Sequence, residues 1–217
     1  MAKKKDSKKS KKDKKQLYWI LGAVIILVAV FYMSSAFFKN LSQVEYEGLV
    51  FAKEKFGEIP VFHYYYYFNG DNGDVIKYNL YLRNDPSKNK VPITGSAIFE
   101  RGEIVYLSID DTDLQQCEYA SVGISSLAQF LSGNLLELRS AVQDPVVAEE
   151  NNLRHVTCET NPNNKVILFQ AGEETRVDRD DLCHTISINN CEVLEAIEKY
   201  QVQSVVEARE RAIARTS

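Results

Sequence analysis

The sequence predicts an α+β fold: an N-terminal transmembrane helix, then one external domain in which packed helices cover an antiparallel sheet. Three observations predict it. Residues 17–38 contain no charged side chain. Residues 44–110 are β-rich, with apolar and polar side chains alternating between short turn signals. Later segments recur instead at three and four residues, the spacing of an amphipathic helix.

The first fifteen residues, MAKKKDSKKSKKDKK, hold nine lysines and two aspartates and carry +7. The whole chain stands at −4, so residues 16–217 carry −11. The uncharged run from Leu17 to Phe38 is 22 residues long. As a helix it measures ~33 Å, enough for a ~30 Å hydrocarbon layer. Tyr18 and Trp19 at one end, and Tyr32, Phe37 and Phe38 toward the other, match interfacial aromatic belts. The lysine excess ahead of the run predicts a cytoplasmic tail, 1–16, a signal-anchor helix, 17–38, and an extracytoplasmic domain, 40–217. The tail then rests on anionic lipid headgroups, at ~1 kcal/mol per lysine. A cleaved signal peptide is the alternative, because Ser34-Ser35-Ala36 offers small residues for cleavage after Ala36. The apolar run is longer than the roughly 7–15 residues of such a peptide's core, which favours the anchor. The acidic remainder argues against nucleic-acid binding.

Within the domain, VEYEGLVFAKEKFG predicts one strand ending at Gly57. VFHYYYYFNGDNGDVIKYNLYL predicts a β-hairpin turning at Gly70–Gly73. A strand sends neighbouring side chains to opposite faces, so Tyr64 and Tyr66 share one face and Tyr65 and Tyr67 the other. On the second strand of the hairpin, Val75, Lys77, Asn79 and Tyr81 oppose Ile76, Tyr78, Leu80 and Leu82. VPITGSAIFERGEIVYLSID adds further strands around Arg101-Gly102. Asp113 with Gln116 predicts a helix start. The stripe Ile124, Leu127, Leu131, Leu135, Leu138 and Val142 predicts one helix through Gly133. Asp144-Pro145 caps a short helix to about Asn151. LRHVTCE, KVILFQ, ETRVD and CHTISI predict strands. Asn189 with Glu192 opens a last helix, on which Val193, Ile197 and Tyr200 share a face, and Glu207 pairs with Arg211.

All four cysteines, Cys117, Cys158, Cys183 and Cys191, lie in the external part. An even count there predicts two disulfides. A Cys183–Cys191 bridge would need the chain to double back at once and fully extended, where Asn189 instead opens a helix. A strand from Cys183 to Ile188 carries the chain ~16 Å. The three remaining steps return at most ~11 Å, and bridged Cα atoms lie within ~7 Å. Cys183 and Cys191 therefore bridge to Cys117 and Cys158 in one of two ways, both left open by the sequence.

The runs KEKFGEIPVF, YNLYLRNDPSKNKVP, VTCE and CHTISINNCEVLEAIEKY resemble uncharacterised single-span, surface-exposed proteins of small-genome archaea. The resemblance covers most of residues 46–200. It implies an external four-cysteine domain and transfers no functional residue.

Candidate chemistry is sparse. HVTC ends at Cys158, with His63 upstream and Arg176 downstream, similar to a sortase-like cysteine transpeptidase, whose thiolate sits beside an imidazolium. The Thr-Leu opening of that motif is replaced by Arg154-His155. Acidic clusters occur at Asp110, Asp111 and Asp113, at Asp178, Asp180 and Asp181, and at Asp71 and Asp74. None has EF-hand spacing, and His63, His155 and His184 show no helical pairing, so no metal and no cofactor is expected. Tyr64, Tyr65, Tyr66 and Tyr67 form a candidate aromatic binding face. Arg83 and Asp85 of the RNDP turn are further candidates, with Asp85 capping the turn and Arg83 pairing locally as the simpler reading. Asn40-Leu41-Ser42 is a glycosylation sequon beside the membrane.

These readings lead to a non-enzymatic, membrane-anchored surface module that binds a partner protein, a glycan or another envelope subunit. The rival is an anchored external enzyme: a cysteine transpeptidase or peptidase centred on Cys158, or a hydrolase centred on an acidic metal cluster.

Overall fold

The computed structural model describes residues 18–34, 42–70, 72–110, 114 and 116–215. Residues 18–34 form helix α1, whose seventeen residues rise ~26 Å. Its apolar side chains are exposed along its length, Trp19 and Phe31 among them. Among the described residues no helix is long and apolar enough to cross a membrane. Leu17 and residues 35–38 of the predicted span lie outside the described residues. So do the lysine tail, Ala36, Asn40, Asp71, Asp111 and Asp113.

Val44–Ser217 form a compact unit of their own, mixed α+β and built on two sheets. The first is antiparallel, in the order β1-β2-β3-β4: β1 Gln43–Tyr46, β2 Leu49–Phe56, β3 Ile59–Asn69 and β4 Val75–Leu82. The single strand predicted over 44–57 is thus two. Glu47 and Gly48 turn the chain between them, both with positive φ. The hairpin forms as predicted, with Phe62 opposite Leu82 and Asn69 opposite Val75.

The second sheet has six strands, in the order β5-β9-β10-β8-β6-β7. Its members are β5 Ile93–Gly95, β6 Ile104–Ile109, β7 Glu137–Val142, β8 Lys165–Ala171, β9 Arg176–Asp180 and β10 Cys183–Ile188. Only β9 and β10 run antiparallel; every other pairing in it is parallel. The antiparallel half expected over 44–110 is therefore corrected. β5 leaves it to join β9, with Ile93 opposite Val177, and β6 joins β7 and β8, with Ile104 opposite Glu137 and Val105 opposite Lys165, pairings that local alternation does not encode.

Helix α2, Ala120–Gly133, is shorter than its apolar stripe predicted. The chain leaves the helix through Leu135, at φ +63°. Leu136 N–H donates to the Leu131 carbonyl and Leu135 N–H to that of Ser132, the paired bonds of a Schellman cap with leucine where glycine is usual. Leu138 and Val142 then belong to β7, not to the helix. Helix α3, Pro145–Glu150, starts as predicted, with Asp144 accepting from the N–H groups of Val146 and Val147. LRHVTCE is not a strand. It makes one bridge, Val142 to His155, and then passes beneath the sheet.

Helix α4, Val193–Ala214, is continuous through Ser204 and follows Glu192, with Asn189 in the preceding turn. Val193, Ile197 and Tyr200 are all fully buried. It lies in the core between the sheets' inner faces, beside α2. An added Cβ at Gly123 of α2 would stand 2.7 Å from Val193 and 2.8 Å from Ile197, so glycine sets that close approach. The main core joins Leu49, Phe51 and Leu80 of the first sheet to Ile167, Phe169 and Ile186 of the second through these helices.

Candidate binding face

Strand alternation divides the tyrosines of β3 between two environments. Tyr64 and Tyr66 turn inward. Tyr64 packs on Phe51, with ring centroids 5.4 Å apart. Tyr66 packs on Tyr78 at 5.5 Å and donates its hydroxyl to Asn134 Oδ1 at 2.7 Å. Burial holds both phenols in the protonated form, Tyr78 pushed up to about 12 and Tyr66 higher still.

Tyr65 and Tyr67 turn outward and are 50% and 60% exposed. Cross-strand register completes the surface around them: His63 faces Tyr81, Tyr65 faces Asn79, and Tyr67 faces Lys77. The His63 and Tyr81 rings stack at 4.5 Å, 16° from parallel. Tyr65 and Tyr67 meet edge to face at 5.8 Å, and Lys77 Nζ sits 4.2 Å from the Tyr65 ring centre. His63 Nδ1–H donates to Glu54 Oε1 at 2.9 Å, and Nε2 lies 3.1 Å from the Asn79 amide. Val50, Phe56, Ile59 and Val75 are exposed as well. The side chains are thus held in fixed orientations by one another while their faces stay wet. Rigid, amphipathic aromatics of this kind supply contact area at low entropic cost. Lys77 and Tyr81 were legible as one face of β4; their placement beside Tyr65, Tyr67 and His63 needed the hairpin register.

The catalytic alternative does not assemble. Cys158 is bonded to Cys183 with Cα atoms 5.5 Å apart, Cys117 is bonded to Cys191, and no cysteine is free. Cys158 therefore has no thiolate to offer. His63 stands on the first sheet, engaged with Glu54. Arg176 stands on the second, paired with Asp178 at 2.6 Å and Glu174 at 3.3 Å. The disulfides follow one of the two connectivities left by the reach argument.

The RNDP turn is held by α4. Glu198 accepts the backbone N–H groups of Arg83 at 2.5 Å and Asn84 at 3.1 Å. Asp85 caps the turn by accepting from the Ser87 N–H and hydroxyl. The guanidinium of Arg83 lies over the Tyr119 ring, 5.8 Å from its centre. Among the described residues no three histidine, cysteine or acidic side chains group as metal ligands. Asp178 is bound by Arg176 and by the Thr94 hydroxyl. His184 is buried, accepts the Tyr200 hydroxyl at Nδ1 and donates Nε2–H to the Asp181 carbonyl. Burial, reinforced by Lys165, depresses its pKa to about 3 and keeps it neutral.

Comparison of the chain with protein-family models, curated proteins and solved structures gives no match.

Proposed function

We propose that this chain is a membrane-anchored, extracytoplasmic module that docks a flat, basic protein surface on the outer face of its first sheet. The carrying observation is that face: Tyr65, Tyr67 and Tyr81 stand half exposed in a mutually ordered row with His63 and Lys77. Small molecules prefer concave sites. Level surfaces rich in ordered tyrosine suit protein partners, with aromatic side chains as the anchors. The acidic charge of residues 16–217 selects a basic partner and makes association salt-sensitive.

The location rests on three supports. The apolar run 17–38 follows nine lysines, a pattern that leaves the N-terminus inside and places the lysine tail on anionic lipid. Two disulfides accord with an oxidising compartment. The resemblance to single-span surface proteins points the same way.

The test places a photo-crosslinking residue at position 67 or, as a control, at exposed Leu153, in cells producing the full chain. The expected result is one discrete adduct from position 67, none from 153, and loss of the adduct on Tyr65→Ala/Tyr81→Ala. External protease should then remove the domain and spare the lysine tail. Equal adducts from both positions, or an adduct indifferent to the tyrosines, would overturn the docking face. A protected domain would overturn the location.

A further inference from the structure

Behind the tyrosine face, on the inner side of the same hairpin, lies a second feature, which shares Tyr67 with that face. β3 and β4 extend past the part of α4 that packs tightly. There α4 offers Ala208 and Ala212, one turn apart, where larger side chains would have met the sheet. A cleft of about 490 Å³ results, walled by Tyr64, Tyr66, Phe68 and Phe99. These aromatics are only partly buried although they face inward.

The interior offers little to a polar group. The Tyr66 hydroxyl is spent on Asn134 Oδ1, Asn134 Nδ2 donates to the Phe130 carbonyl at 2.7 Å, and the Ser204 hydroxyl donates to the Tyr200 carbonyl at 2.8 Å. The mouth is different. Glu100, Arg101, Arg209 and Arg211 line it. Arg209 donates to the Gly48 carbonyl at 2.6 Å and meets no carboxylate among the described residues. Arg211 donates to the Ala97 carbonyl at 3.1 Å. It stands 4.0 Å from Glu207, whose two oxygens are already taken by buried Arg179. Arg209 and Arg211 thus stand at the mouth beside a single lining carboxylate, Glu100, positive charge on a domain that is otherwise acidic.

We infer that this cleft binds a single-chain amphipathic anion, a long-chain carboxylate, with its tail against the aromatic wall and its head at Arg209 and Arg211. An apolar tail laid against the aromatic wall gains burial, and the head gains a charge-assisted bond to a guanidinium. The volume lies in the lower half of the roughly 300–1,000 Å³ range of small-molecule sites, which suits one chain. The site meets the outer face only at Tyr67; the rest of its lining comes from the inner side of β3, from Phe99, Glu100 and Arg101, from α2 with its cap, and from α4.

The experiment uses the full chain in lipid nanodiscs, a diazirine-bearing hexadecanoate, and mass-spectrometric mapping of the adducts. The expected result is labelling of peptides that contain Phe99 or Ala208, suppressed by excess dodecanoate. Arg209→Gln/Arg211→Gln should lower that labelling about tenfold, equivalent to ~1.4 kcal/mol, and the diazirine-bearing hexadecanol should label about tenfold less than the acid. Ala208→Phe fills the slot and should end labelling. The arginine variants alter side chains at the mouth, so they decide the matter should Ala208→Phe misfold. Labelling confined to residues 18–34 would overturn the inference, showing partition into lipid only. So would equal labelling by acid and alcohol, or indifference to loss of the arginines.

Discussion

The two sheets solve opposite problems. The first is antiparallel and needs only one covered face, because alternation puts apolar side chains inside and leaves the others wet. Its outer side carries tyrosine, histidine and lysine, which tolerate water. The second is mostly parallel, and such sheets are buried on both sides. Helices α2 and α4 cover one face. On the other, Tyr106, Ala141, Val156 and Val166 form a satellite cluster, roofed not by a helix but by the irregular segment after α3. Ser108 fixes that roof by donating to the Val156 carbonyl at 2.5 Å, and the Cys158–Cys183 bridge staples it to β10. A loop with a covalent tie thus does for the second sheet what a helical layer commonly does. Among the described residues the first sheet's outer face has no such cover, and it leaves Phe56, Ile59 and Val75 exposed beside the tyrosines.

The comparison is broken most severely at the second sheet's inner face. Arg179, buried on β9, forms a bidentate pair with Glu207 of α4. Arg179→Ala leaves that carboxylate without its main partner and should cost ~3–5 kcal/mol, measured by urea unfolding. Lys77→Ala on the first sheet's outer face should cost no more than ~0.5 kcal/mol. Next comes the roof. Cys158→Ser/Cys183→Ser opens a loop of sequence separation 25 and should cost ~3–4 kcal/mol. Hydrogen exchange should speed up in β6, β7 and β8 and stay unchanged in β3 and β4. Protection lost equally in both sheets would show that the roof is not a local device.

A third prediction concerns pH. Burial raises the Glu198 carboxyl to about 7, against the opposing pull of the Arg83 and Asn84 N–H groups. The folded chain then keeps a proton that the unfolded chain gives up near 4.5. Stability from this group is complete below 4.5 and is lost as pH rises through 7. Glu198→Gln should remove that slope, changing its stability relative to the parent by ~3 kcal/mol between pH 4.5 and 8. His184 works in the other direction. Its depressed pKa gives stability present above its usual 6.5 and lost as pH falls from there toward 3. Between 4.5 and 6.5 the two oppose each other, so Glu198→Gln should steepen the parent's acid loss in that window.

The smallest effect on stability sharpens the contrast within one strand. Tyr66→Ala empties a packed inner position and should cost ~2–4 kcal/mol. Tyr67→Ala, one residue along, should cost ~0.5 kcal/mol or less while it weakens docking by ~2 kcal/mol. Thermal unfolding and crosslinking yield, read on both variants, check the pair.

Much of this was legible in residues 59–82, because hairpin strands pair with their neighbours and the alternation of YYYY reports its own faces. The exclusion of a Cys183–Cys191 bridge was legible because it depends on chain reach and on a helix opening directly after the strand. Three features were not. β5 and β6 read as extended, but their partners are distant, and strand period says nothing about which sheet a strand joins. The α2 stripe ran on through Leu135, Leu138 and Val142 because spacings of three and four recur by chance across a cap that uses leucine in the left-handed region. The cleft was illegible because it arises where two alanines of α4 face a hairpin more than 120 residues earlier. The outer face was half legible: Tyr65 and Tyr67 were paired correctly, but only cross-strand register adds His63, Lys77 and Tyr81.

The placement of the cross-links has a mechanical consequence. Both disulfides join residues from Cys117 onward, and the four-stranded sheet contains none. Tension applied at the N-terminus reaches β1 first, an edge strand paired only with β2 in its sheet and tied to α4 by the Lys199–Tyr46 hydrogen bond. From there to Cys117 the load path consists only of hydrogen bonds and packing, and it can be drawn out by ~250 Å at ~3.4 Å per residue. Beyond it the chain from Cys117 to Cys191 is a closed ring that no pull on the backbone can straighten. The domain is therefore built as an extensible leader in series with an inextensible block. A single-molecule pulling trace should show one long step for the first and a shortened contour for the second, and reduction should lengthen only the latter.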